Sequence, residues 1–145
     1  MQNHQVRIFR VLAGLVVSLA AATASAQVAI VVNPKSPTAS MTADQVAGIF
    51  LGKSNTLPSG AAAAAVDQAE SAAVRDAFYT KVTGKQSAQV KAAWSRLVFS
   101  GKGTPPKELA SSAEVKKFVA ANPDAIGYIE KSAVDGSVKV VLTVD

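Results

Sequence analysis

The spacing of hydrophobic positions changes several times along this chain, and each change marks an element. Val28, Ile30, Val31 and Val32 form a mostly β-branched run that Asn33-Pro34 ends, which predicts a first strand. A loop bearing Pro and Ser continues through Pro37. Thr42 stands three residues before Gln45, a capping-box spacing, and Val46, Ile49 and Phe50 then share one helical face up to a stop at Gly52. The polar stretch KSNTLPSG reads as a surface loop. AAAAAV at 61–66 is ambiguous, since Ala favours helix, but six residues between Gly60 and Asp67 fit a buried strand with small side chains better.

From Ser71 onward Val74, Ala77, Phe78 and Val82 recur at helical spacing until Gly84. Ser87 is placed to cap a further helix, with Val90, Trp94, Leu97 and Val98 on its buried face and an end near Gly101. GKGTPPKE reads as a loop. Ser111 and Glu114 repeat the capping-box spacing ahead of Val115, Phe118 and Val119, and Asn122-Pro123 stops that helix. AIGYIE and SVKVVLTV read as strands, with a turn at Asp135-Gly136. The predicted order is β-α-β-α-α-α-β-β, an α/β layered domain with about four strands and about four helices.

The first 26 residues fall outside this pattern. Arg7 and Arg10 precede an apolar run from Val11 to about Ala22, and Ala24-Ser25-Ala26 supplies a small-x-small cleavage site. The run is shorter than the roughly 20 apolar residues of a membrane span. Residues 1–26 are therefore expected to be a cleavable secretory signal, and residues 27–145 the exported domain, 145 − 26 = 119 residues in length. No Cys follows the apolar run, so no lipid anchor is expected after cleavage. A chain of that length buries about two-thirds of its unfolded surface, enough for one core.

Composition then narrows the chemistry. The exported part carries 13 basic and 10 acidic residues, near +3 and scattered, unlike a nucleic-acid footprint. There is no Cys, and the one His, His4, lies in the leader. Disulfides, thiolate chemistry, His-based triads and metal sites rich in His or Cys are excluded on this basis. No pair of carboxylates stands at a readable spacing, so no catalytic residue, metal ligand or cofactor is expected and the protein is not expected to be an enzyme. Trp94 falls in an apolar stripe, which favours core packing.

One stretch remains as a candidate site. VDQAESAAVRDAFY, residues 66–79, places Asp67, Gln68, Ser71, Ala72 and Arg75 around a predicted strand-to-helix turn. Helix starts present unpaired N–H groups, and ligands of open α/β sheets gather past strand carboxyl ends. The N–H groups of residues 71–73, the Ser71 hydroxyl and the Arg75 fork can hold a small anion there. The alternative is an ordinary helix start, capped by Asp or Ser, with Arg75 paired to Asp76 or Glu70 on the surface. A second wall for an anion has one candidate within the chain, the SGKGT loop at 100–104 with Lys102.

Taken together, SMTADQVAGIFLGK, VDQAESAAVRDAFY, WSRLVFSGKGTPP and NPDAIGYIEKSAVDGSVKVV resemble the phosphate substrate-binding proteins of ABC transporters, within the type 2 periplasmic binding-protein superfamily. The similarity is closer to a short, single-lobe group. It implies a periplasmic-binding-protein-like lobe with a central mixed sheet, and a periplasmic module that binds phosphate or another small oxyanion. The implied associates are a transporter or sensor, or a second copy as a homodimer. Full-length relatives open a helix with an Arg-x-x-Gly-Ser-Gly-Thr-type turn. Here Gln68 stands at the Arg, Ser71 at the first Gly, Ala72 at the Ser, Ala73 at the second Gly and Val74 at the Thr. Arg75 and Phe78 match residue types common further along that helix. A fold kept for docking to another envelope protein, with the ligand lost, is the alternative function.

Overall fold

A computed structural model describes residues 27–145; the proposed signal segment lies outside the described residues. The chain runs through β1 (Val28–Val32), α1 (Ala43–Phe50), β2 (Ala64–Gln68), α2 (Ala73–Thr83), α3 (Ser87–Phe99), β3 (Lys107–Leu109), α4 (Ser112–Ala121), β4 (Ala125–Glu130) and β5 (Lys139–Val144), with one 3-10 turn at Lys131–Ala133. The sheet is mixed and five-stranded, in the order β3-β2-β4-β1-β5. β2 is parallel to β3 and β4, while β1 is antiparallel to β4 and β5.

Both faces of the sheet are covered, which explains the continuous apolar run of β1. Its alternate residues serve different layers, because side chains along a strand point to opposite sides. Val28, Ile30 and Val32 pack with Val46, Phe50, Phe78 and Trp94 from α1, α2 and α3. Ala29 and Val31 pack with Val115 and Val119 of α4 on the other side. Three helices therefore cover one face and a single helix the other. Asn33 locks this second layer by donating its side-chain amide to the carbonyls of Val119 (2.8 Å) and Ala120 (3.1 Å) at the end of α4.

Local signals in the sequence explain most boundaries. Thr42 and Gln45 close a full capping box on α1, and Ser111 accepts from the Glu114 N–H at the start of α4. Glu114 turns to the N–H of Ala110 instead of Ser111, so the second box is half formed. Gln86, not Ser87, caps α3, exchanging bonds with Gln89. Trp94 is in the core as its spacing predicts, 9% exposed, with its indole N–H on the Phe50 carbonyl at 2.7 Å. Gly52, at φ 78°, lies flat against that indole, where a Cβ would stand 2.9 Å from the ring.

Three features depart from the sequence expectation. The alanine segment enters the sheet only at Ala64, and the strand continues through Asp67 and Gln68, because parallel pairing with β3 extends to Gln68. β3 itself begins within the expected GKGTPPKE loop and ends one residue past it; its three residues Lys-Glu-Leu have no apolar run to announce them, and they pair as an edge. Val98 is not on the buried face of α3. It is 49% exposed and Phe99 is 97% exposed, since the end of α3 runs beyond the layer that buries Val90 and Trp94.

Close approach of α4 to β4 rests on Gly127. A Cβ there would meet Val115 Cγ1 at 2.7 Å and Val66 Cγ2 at 2.9 Å, both from well-buried side chains with little room to yield. Gly127→Ala is expected to destabilise the fold by about 1–3 kcal/mol through overpacking. Urea denaturation checks this, and an unchanged midpoint would contradict the packing described.

Candidate functional site

Asp67 sits at the carboxyl end of β2, 4% exposed, and its side chain is enclosed by hydrogen-bond donors. The Tyr79 hydroxyl of α2 donates to one carboxylate oxygen and the Tyr128 hydroxyl of β4 to the other. The Gln68 N–H adds a bond of 2.8 Å. Gln68 is also buried. Its side-chain amide donates to the Tyr128 carbonyl at 2.9 Å and to the Ser112 hydroxyl at 3.1 Å, which links β2 to β4 and to the start of α4.

Arg75 lies one turn into α2 and is 4% exposed. Its Nη1 donates to the Gln68 carbonyl and to Glu108 Oε1, each at 2.8 Å, and its Nε donates to the Ser87 hydroxyl at 3.0 Å. The Asp67 carboxylate is 3.9 Å from Nε, and the guanidinium lies 5.7 Å from the Tyr79 ring centroid. The surface pairing considered for Arg75, to Asp76 or Glu70, is thus replaced by a buried contact with Asp67 and a bond to the half-exposed Glu108. Glu70 pairs with Lys91 instead, at 2.5 Å. That hydrogen bond and the Lys91 charge hold the Glu70 carboxyl below its usual range.

The electrostatics of the cluster follow from burial and from these contacts. Burial disfavours the phenolate forms of Tyr79 and Tyr128, and the adjacent Asp67 charge and hydrogen bond push both pKa values further up. Burial alone lowers the Arg75 pKa, but the Glu108 hydrogen bond and the Asp67 charge outweigh it and the net direction is upward. The cluster therefore holds charge in place. Neither phenol is poised to exchange protons near neutral pH, so the arrangement suits positioning better than acid–base chemistry.

The turn above this cluster is open. Ser71 is exposed and does not cap the helix; the N-cap is Ala72, in extended conformation and with no side-chain hydrogen bond to the first turn. The first N–H groups of α2, at Ala73 and Val74, accordingly meet no side-chain acceptor at the cap. Asp67, Gln68 and Arg75 are brought together, whereas Ser71 is exposed and Ala72 packs partly buried against the core.

Sequence reasoning missed Tyr79, Ser87, Glu108 and Tyr128 as parts of this cluster. Tyr79 closes the very stretch singled out for the site, but a buried phenol leaves no spacing signal of its own. Glu108 is on the unannounced edge strand. The SGKGT loop is not a wall of this site. Lys102, Gly103 and Thr104 instead face Lys53, Ser54 and Asn55 across a separate cleft of about 480 Å³. A neighbouring groove of about 410 Å³ is the one that reaches Asp67, Arg75 and Glu108, between Val98 and Pro106. Trp94 and Pro106 line both.

Both tyrosines of the chain are in this cluster, so their titration is read without interference. In the unfolded chain they lose protons near pH 10, whereas the fold keeps them protonated well above it. Above about pH 10 the unfolded state binds fewer protons, so stability is complete below that pH and declines above it, by up to about 1.4 kcal/mol per pH unit for each tyrosine. Tyrosinate absorbance is expected to appear only with alkaline unfolding. A phenol that titrates near pH 10 while the fold is intact would contradict the enclosure of Asp67.

No protein-family model matches the chain, and no curated protein matches it. Solved structures do. A protein from Clostridium perfringens described as a phosphate ABC transporter substrate-binding protein, with bound phosphate, matches at 25% identity and a TM-score of 0.65, over 80% of this chain and 45% of its own. An ABC-type phosphate transport receptor from Vibrio cholerae matches at 24% identity and 0.63, over 80% and 46%. PstS from Borrelia burgdorferi matches at 14% identity and 0.60, over 80% and 47%. The chain thus spans just under half the length of the structures it matches, and it has the fold of that part of them. The resemblance read from the four sequence segments and the fold of the described residues point to the same family.

Proposed function

We propose that this chain, similar in fold to part of the phosphate ABC-transporter substrate-binding proteins, is an exported solute-binding-like module. It works in the periplasm and takes a small oxyanion, phosphate first, at the turn from Ser71 to Val74. One observation supports this reading most directly: α2 begins at the carboxyl end of β2 with its first N–H groups uncapped by any side chain. The fold of the phosphate-binding neighbours supports the ligand class. Asp67, Gln68 and Arg75 support the turn from below, and the Ser71 hydroxyl is free to reach an anion at the rim. The module binds and hands on its ligand, with no catalytic step.

Magnitudes set the strength expected. A helix start contributes about 0.3–1 kcal/mol toward an exposed anion. Micromolar affinity needs about 8 kcal/mol. Arg75, the cation nearest the turn in sequence, is already bonded to Glu108, Gln68 and Ser87. The module alone therefore binds weakly, and a facing wall from a transporter, a sensor or a second copy completes a tighter site. The same commitment of Arg75 supports a second reading, in which the fold serves to dock on an envelope partner and no ligand is held.

Calorimetric titration with phosphate, sulfate and small carboxylates separates the two. Heat that saturates at millimolar phosphate is expected; its absence would favour the docking role. Ala72→Asp provides the sharper check. A carboxylate at the N-cap takes the free N–H groups itself, so this variant is expected to gain about 0.5–2 kcal/mol of stability and lose phosphate binding. Unchanged phosphate affinity in a stabilised variant would move the site elsewhere.

A further inference from the structure

Val98 and Phe99 are the large apolar side chains left exposed among the described residues, at 49% and 97%. They are the last two residues of α3, just before the turn at Ser100–Gly101. Along this part of the chain the charges are of one sign. Residues 77–107 contain six basic residues, Lys81, Lys85, Lys91, Arg96, Lys102 and Lys107, and no acidic one. The remainder of the described chain carries seven basic and all ten acidic residues, so 7 − 10 = −3 stands against +6 for this segment. Lys102 follows Phe99 by three residues and Arg96 precedes it by three, while Lys91, which lines the same groove, is paired with Glu70.

We propose that the end of α3 is a peripheral docking tip for an anionic lipid surface. Phe99 enters the interface between headgroups and acyl chains, and Arg96 and Lys102 beside it stay with the anionic headgroups. An aromatic beside several Lys and Arg side chains is the combination that holds a protein in this layer. Each cation near such a surface raises partitioning roughly fivefold, and the effect fades with salt.

Size decides between this occupant and a protein. A specific protein interface buries about 800 Å² per partner around an apolar core. One protruding aromatic and one half-exposed valine do not form such a core, whereas lipid insertion adds up from single side chains. The groove beside the tip does not change this, since Asp67, Arg75 and Glu108 line it and these charges are committed to one another. Docking by this tip leaves the turn at Ser71 unused, so it stands whether or not that turn holds an anion.

The test uses residues 27–145, which contain the whole core, so that the basic apolar leader does not bind lipid in its place. The chain is sedimented with vesicles of phosphatidylglycerol mixed into phosphatidylcholine, and with phosphatidylcholine alone. Binding is expected with the anionic vesicles only, and raised salt is expected to release the protein. Phe99→Ser and Lys102→Glu are each expected to weaken binding about fivefold or more without lowering the melting temperature, since neither side chain supports the core. Equal binding to both vesicle types, no binding to either, or undiminished binding by Phe99→Ser would overturn the proposal. A dimer seen by size exclusion that depends on Phe99, without vesicle binding, would assign the tip to a protein contact instead and equally overturn it.

Discussion

The carboxylate of Asp67 is the group on which the helical side of this molecule converges. Left bare inside a protein, such a charge costs several kcal/mol. Here each oxygen receives a phenol, one from α2 and one from β4, and a backbone N–H adds a further bond. Arg75 then ties the same point to β3 through Glu108 and to the start of α3 through Ser87. Two strands and two helices are thus registered on one side chain of β2. Removing a single partner strands the others, whereas replacing the whole set with apolar residues of similar volume need not weaken the fold. The cluster therefore acts more as a device for placing α2 than as a source of net stability.

That role constrains what the turn can do. A guanidinium at the base of an anion turn is the obvious ligand group, yet this one is nine-tenths and more enclosed and faces two carboxylates. The start of α2 is left to its backbone, held in place by the buried network on which Arg75 is spent. Side chains thus position the helix from below, while no side chain caps its first N–H groups.

Much of this was legible in the residues. The continuous apolar run of Val28–Val32 announces a strand buried on both faces, and the Thr42–Gln45 and Ser111–Glu114 spacings announce helix starts, because caps and periodicity act within a few residues. The four helices were read correctly as elements; of the residues grouped at the candidate turn, the fold joins Asp67, Gln68 and Arg75 by hydrogen bonds and an ion pair and leaves Ser71 exposed. β3 was not, because Lys107-Glu108-Leu109 becomes a strand only through its partner β2. The burial of Arg75 was hidden for the same reason: its acceptors come from residues 12 and 33 positions away. Ser71 misled because its type suits an N-cap, while the chain enters α2 one residue later. The apolar spacing also assigned Val98 to the core, since periodicity along α3 carries no information about where the sheet beneath it ends.

The place of β1 in the sheet has a consequence for the order of events in folding. β1 lies inside the sheet between β4 and β5, and both of these partners come late in the chain; Val28 pairs with Glu130, 130 − 28 = 102 residues on, and with Val144. Contacts of such sequence separation form slowly, because the closure of a long loop must precede any gain from pairing. A chain emerging amino end first therefore has no completed sheet until β5 is present. Until then β1 has neither of its partners, and both of its hydrogen-bonding edges stay unpaired.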